Sequence, residues 1–161
     1  MRAGRRLPDL GPRGEGWFLV QVPILGAIAI AGLLGPAWSG SPRALSAVVG
    51  AVLIGSGGVL AVRGILDLGG NLTPFPKPLE GAALVDTGAY GLVRHPIYGG
   101  LILGGFGWGL LTASPVSLAS SIILAVFFDL KSRREEAWLV EQLDGYAAYR
   151  DRTRRLLPWL Y

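Results

Sequence analysis

Three long apolar runs, punctuated by short polar segments, dominate the pattern of this chain. The first extends from Trp17 to about Leu34 and stops at Gly35-Pro36. The second extends from Ala44 to about Leu66. The third begins at Pro96 and reaches Phe128, which is too long for one helix, and Thr112-Ala113-Ser114-Pro115 divides it into two arms of about 16 residues. Residues 16–42, 44–62 and 96–128 carry no formal charge. A bilayer demands that segregation, because a charge at its centre costs roughly 3 kcal/mol or more. The pattern predicts an all-α integral membrane protein with about four transmembrane helices, the last two forming a C-terminal helical hairpin. A full span needs about 20 residues. Either the fourth helix therefore runs on past the bilayer surface into the charged tail, or the hairpin is re-entrant.

Charge sets the orientation. Charged residues are 16% of the chain, against about 25% in soluble domains. Arg2, Arg5, Arg6 and Arg13 precede the first helix, and only Arg43 lies between the first and second. Arg63, Lys77 and Arg94 belong to the middle stretch, the 112–115 turn has no basic residue, and Lys131, Arg133, Arg134, Arg150, Arg152, Arg154 and Arg155 crowd the tail. Cytoplasmic lipid-flanking segments favour Lys and Arg, so both termini are expected inside, with 14 of the 15 basic residues. The net charge of +4 then reflects topology rather than nucleic-acid binding. The excess of Arg over Lys, with abundant Gly and Ala, suggests a bacterial inner membrane. The first run is read as a retained helix, not a cleaved signal. There is no cysteine and a single histidine, His95, which excludes disulfides, thiolate or His-rich metal sites and a cysteine nucleophile.

Glycine crowds the third helix at Gly99, Gly100, Gly104, Gly105, Gly107 and Gly109. Gly100/Gly104 and Gly105/Gly109, with Ala51/Gly55 and Gly57/Ala61 in the second helix, have the small-xxx-small spacing that lets helix backbones touch, and that also permits a homo-oligomer. At Gly99 and Gly100 the alternative is a backbone bared for a cofactor.

Polar residues gather in two places. In 71–98, Pro74, Pro76 and Pro78 stiffen a loop, and Pro96 suits the first turn of a helix. His95 then falls at or beside the N-cap, and Arg94, His95 and Tyr98 surround a helix N-terminus suited to a carboxylate or phosphate. The second cluster runs from Lys131 to Leu143 and is expected to be an amphipathic helix at the cytosolic surface, with Leu139, Leu143 and Tyr146 on one side. Glu135 and Glu136 point about 100° apart, so one can face inward and accept hydrogen bonds from an amine or ribose. The plainer reading is a solvated face with Lys131–Glu135 support. Asp129 is expected to cap or to pair with a nearby Arg.

The string Leu84-Val85, Gly88, Tyr90, Arg94-His95-Pro96, Tyr98, Gly100, followed one hairpin later by Glu135-Glu136 and then by Tyr146, Tyr149 and a basic run to Pro158, resembles the isoprenylcysteine carboxyl methyltransferase family over about residues 68–160. The phospholipid N-methyltransferases are similar in the same region. The resemblance implies a membrane-embedded enzyme binding S-adenosylmethionine on the cytosolic side. It places Arg94, His95, Tyr98 and Gly100 on one wall of the cofactor pocket and Glu135 and Glu136 on the other, with Leu84, Val85 and Tyr90 shaping it. Arg94, His95 and Glu136 are the residues on which catalysis is expected to depend. The domain plan becomes a cytosolic segment 1–16, two transmembrane helices in 17–66, and a catalytic half in 67–161. The acceptor is expected to be a lipophilic or small carboxylate, amine or thiol entering from the bilayer, with Trp108 a candidate to line its path. Two other readings are a nicotinamide-dependent membrane reductase of the sterol reductase type and a small four-helix transporter subunit. The transporter reading lacks an acid in 17–34, where the polar residue is Gln21.

Overall fold

The structure is a computed structural model that describes residues 7–40 and 43–158. Arg2, Arg5 and Arg6 of the N-terminal segment lie outside the described residues. The elements are α1 (Glu15–Leu34), α2 (Arg43–Leu68), a one-turn 3₁₀ helix (Gly69–Asn71), α3 (Ala89–Leu92), α4 (Pro96–Leu111), α5 (Pro115–Gln142) and α6 (Tyr146–Arg152). Among the described residues there is no strand, only an isolated parallel bridge between Val93 and Arg154. Three helices, α1, α2 and α5, are long and apolar enough to cross a membrane, and α4 is a shorter apolar helix. Apolar side chains such as Leu33, Val48, Val59 and Ile122 point outward, as lipid-facing positions do.

The hairpin breaks where the turn residues predict. Pro96 and Pro115 each open a helix at its first turn, and the Ser114 side chain accepts the Ser117 N–H at 3.2 Å as an N-cap. The amphipathic stretch is not a helix of its own: the fourth helix runs on into the charged tail, one of the two alternatives read from the sequence. Residues 131–142 continue α5, because no glycine or proline interrupts Phe128–Gln142 and the residues there are good helix formers. The chain turns only at Gly145, with φ of +83°, before the short α6. At 1.5 Å per residue α5 is about 42 Å long, so its last turns project beyond a hydrocarbon core of about 30 Å.

The short α4 sits centrally, against α1, α2 and α5. Lipid supplies no hydrophobic drive between helices, so association rests on close packing. Gly50, Gly57 and Gly64 form the buried stripe of α2. A Cβ on Gly50 would lie 2.6 Å from the Gly107 carbonyl, and one on Gly57 2.6 Å from that of Gly100. The other face of α4 puts Gly105 and Gly109 against Ser121 and Leu118 of α5. Of the predicted pairs, Gly57/Ala61 and Gly105/Gly109 are used, whereas Gly55 and Gly104 face open space. Hydroxyls tie α5 to α1: Ser114 Oγ donates to the Ala31 carbonyl at 2.9 Å and Ser117 Oγ to that of Ile28 at 3.1 Å.

Candidate active site

The site is assembled where the loop after α2 meets the end of α5. Asp67, near the end of α2, accepts the Ala89 N–H at 2.7 Å and so fixes the start of α3. After one turn the chain becomes extended at Val93 and pairs with the C-terminal segment. The Arg94 N–H donates to the Arg154 carbonyl at 2.8 Å, and the His95 N–H to that of Arg155 at 2.9 Å. The Tyr149 hydroxyl donates to the Tyr90 carbonyl at 2.6 Å. His95 is the N-cap residue of α4. The tail after α6 thus holds Arg94 and His95 from below, and it is close enough that a Cβ on Gly99 would strike the Leu156 carbonyl.

The two glutamates have separate surroundings. Glu136 is buried, and its Oε1 receives Arg94 Nε at 2.7 Å, with His95 Nε2 at 3.2 Å and Arg155 Nε at 3.4 Å. Arg94 also donates through Nη1 to the Arg150 carbonyl at 2.9 Å and to that of Thr153. Glu135 accepts the Tyr98 hydroxyl at 2.7 Å and lies 3.9 Å from His95 Nδ1. The Tyr98 ring is stacked between His95, 5.4 Å away, and Phe128, 4.5 Å away. Lys131 and Glu135 make no direct ion pair, although the Glu135 charge acts on the lysine. Lys131 is buried, donates to Gln21 Oε1 at 2.8 Å and stands 4.9 Å from the centre of the Tyr98 ring. Asp129 pairs with Arg133 at 2.8 Å and Arg155 at 2.9 Å, as its position suggested.

Between these groups lies a cavity of about 340 Å³, within the range of small-molecule sites. Of the residues singled out in the sequence, Leu84, Val85, Tyr90, Arg94, His95, Tyr98 and Glu135 line it. Two do not. Gly100 is turned toward α2, against Gly57 and Ala61, because it serves the helix contact. Glu136 stands behind Arg94 and His95. Sequence reasoning missed Phe18, Gln21 and Lys131 as wall residues, and Asp67 as the clamp on α3. Gln21 carried a signal, as the polar residue inside the apolar run 17–34. The roof is the proline-rich loop, from Asn71 to Pro76 with Pro78. It is fastened to the α1 entry by Lys77 N–H donating to the Arg13 carbonyl at 3.3 Å, and by Arg13 over the Phe75 ring at 4.8 Å. Asn71 Nδ2 donates to the Ala83 carbonyl at 2.9 Å and ties the loop to itself.

Burial pushes the Tyr90, Tyr146 and Tyr149 hydroxyls well above the ordinary tyrosine range, so they act as hydrogen-bond groups and not as bases. The Tyr146 hydroxyl is buried on the cavity wall, and no group among the described residues satisfies it.

Residues 45–144 match the family model described as phospholipid methyltransferase. The chain belongs to the phospholipid methyltransferase family. Over 77 residues it is also 38% identical to a protein-S-isoprenylcysteine O-methyltransferase of Schizosaccharomyces pombe, a match covering 47% of this chain and 33% of that protein. The matched stretch is thus a third of that relative's length. The family and the three long apolar helices together make this a membrane protein.

Proposed function

We propose that the chain transfers a methyl group from S-adenosylmethionine to a lipophilic acceptor at the cytosolic face of the membrane. The observation that carries the reading is the cavity itself, an apolar enclosure at the end of the helix bundle that brings Arg94, His95, Tyr98 and Glu135 together. Its donors and acceptors fit the cofactor. Arg94, at the N-terminal end of α4, suits the methionine carboxylate, since a helix N-terminus and a guanidinium both favour an anion. Glu135, already aimed by Tyr98, suits the amine or the ribose hydroxyls. The Tyr146 hydroxyl calls for a partner that the described residues do not provide. Leu84, Val85, Leu139 and Leu143 offer apolar walls.

The cofactor supplies, when bound, a methyl carbon on a positively charged sulfur. What the chain contributes is placement: positioning alone supplies up to roughly 7–11 kcal/mol of a barrier. The roof loop, stiffened by its prolines, keeps water from the reacting groups. Glu136 is assigned to positioning, since it fixes Arg94 and His95 without lining the cavity. Calorimetry of S-adenosylmethionine on the purified protein in nanodiscs tests this. Saturable binding that weakens about tenfold in Glu135→Gln, with the melting temperature kept, is the expected result. A folded wild-type sample that binds none overturns the reading.

A further inference from the structure

The roof of the cavity is held from outside, by a part of the chain that precedes the residues 45–144 of the family match. Within residues 73–82 the loop bonds to itself, the Phe75 N–H donating to Thr73 Oγ1 and the Ala82 N–H to the Leu79 carbonyl, each at 3.2 Å. Among the described residues, the hydrogen bond that leaves this stretch is the one from the Lys77 N–H to the Arg13 carbonyl. Side chains add to the same anchor. The Phe75 ring lies under the Arg13 guanidinium and meets Phe18 of α1 edge-on at 6.2 Å. Pro76 is fully buried beside Gly14, where an added Cβ would lie 2.9 Å from the proline ring and 3.3 Å from Trp138. The strap that carries these groups, residues 7–14, is fixed in turn to the end of α5. Asp9 accepts Arg134 Nε at 2.6 Å, Arg134 lies over the Trp138 ring at 3.7 Å, and the Trp17 indole donates to the Pro8 carbonyl at 3.1 Å. The two ends of the roof, by contrast, are built to turn. Gly69 and Gly81 have φ of +51° and +75°, and both, with Gly70, face open space. Backbone there rotates without a side chain to clash, while Pro74, Pro76 and Pro78 keep the piece between stiff, so that it moves as one body.

We infer that residues 7–14 are the latch of this roof, which swings at Gly69-Gly70 and Gly81 to exchange the cofactor, and that the latch sets the rate of that exchange. The inference rests on the methyl-transfer reading. A charged, water-soluble cofactor has no path through lipid, so it enters and, once demethylated, leaves on the side that the roof covers. Arg13, Gly14 and Trp138 do not line the cavity, so they grip the roof equally with or without a ligand beneath it. Contacts that do not distinguish the two states slow entry and exit together and leave affinity alone, whereas a wall residue changes affinity.

The test follows association and dissociation of S-adenosylhomocysteine, the demethylated cofactor, by stopped flow on the protein in nanodiscs. Wild type is compared with Arg13→Ala, which removes the cation over Phe75, and with Asp9→Ala, which frees the strap from Arg134. Both rates are expected to rise about fivefold in Arg13→Ala, with affinity kept within about twofold, and to rise less in Asp9→Ala. Unchanged rates in Arg13→Ala overturn the latch. So does faster dissociation with unchanged association, since the strap would then belong to the binding wall. If Arg13→Ala does not fold, Asp9→Ala decides by the same two criteria. A reporter cysteine reads the roof without any cofactor: Leu139→Cys lies on the cavity wall of a chain that has no other cysteine. Its labelling by a water-soluble maleimide should be slow with the strap intact and about fivefold faster when Arg13→Ala is added. Equal labelling rates overturn the latch. A wild type that binds no S-adenosylhomocysteine, while Arg13→Ala still speeds the labelling, defeats the methyl-transfer reading and leaves the latch standing.

Discussion

Adjacent glutamates in one helix end up with different tasks, and substitution should separate them. Glu136 is the shared anion of Arg94, His95 and Arg155. Glu136→Ala leaves buried cations uncompensated, a change that costs about 3–5 kcal/mol where one partner of a buried pair is removed. Denaturant unfolding in detergent should show that loss before any ligand is added. Tyr146→Phe should do the reverse. Deleting a hydroxyl that no described residue satisfies should leave stability unchanged or raise it by about 1 kcal/mol, while affinity for the proposed cofactor falls. A drop in both would mean that the hydroxyl has a structural partner. The sequence put Glu135 and Glu136 about 100° apart and left open which faced the cavity. The choice depends on the register of α5 against α4, a tertiary quantity that Tyr98 and Arg94 report by the glutamate each one holds. Gln21 and Lys131 escaped notice as a pair for the same reason, since 110 positions separate them and only the packing of α1 on α5 joins them.

At the scale of elements, the α2–α4 seam makes the sharpest prediction. A Cβ on Gly57 would lie 2.6 Å from a backbone carbonyl and 3.1 Å from the Gly104 nitrogen, neither of which can rotate aside. Gly57→Ala should therefore cost about 1–3 kcal/mol, the range for overpacking. Gly55→Ala, two residues earlier and facing open space, should cost nothing and gains helix propensity. Parallel melts of the two variants in one detergent check the contrast, and equal melting temperatures would refute the seam. This is also where sequence legibility ends. The helix limits at Gly35, Pro96 and Ser114-Pro115 were readable because turn and cap chemistry is local. The glycine spacing announced close contact but not its partner. The seam uses the seven-residue stripe Gly50, Gly57 and Gly64, and Gly100 was drawn into it although the family string made it a cofactor residue. A short helix touching three others needs bare backbone on several faces, and a single spacing rule does not say which face meets which neighbour.

For the whole molecule, the cavity's position decides what ligands the protein can reach. Glu135 lies 20 residues into α5, about 30 Å along it, which is about the thickness of the hydrocarbon core. If Pro115 starts at the opposite membrane face, as the proposed reading has it, the site lies at the membrane surface with its roof loop on the water side. Which water side follows from charge. Positive residues at Arg13, Arg63, Lys77 and Arg94, and from Lys131 onward, share the end that carries the cavity, whereas the α1–α2 and α4–α5 turns hold only Arg43 between them. The cavity should then face the cytosol, where a soluble cofactor is made. The absence of native cysteine makes this measurable without background. Asp144→Cys, in the exposed turn before α6, should resist a membrane-impermeant maleimide in intact cells and react once the membrane is opened. Ser39→Cys, exposed in the α1–α2 turn, should react with the membrane intact. The reversed pattern would place the cavity on the outside and remove the cytosolic supply of cofactor from the proposed reaction. Protection of both residues would mean that α1 and α2 do not span. The bundle would then have to rest in one leaflet, and the argument that puts the cavity about 30 Å along α5 at the opposite surface would fail with it.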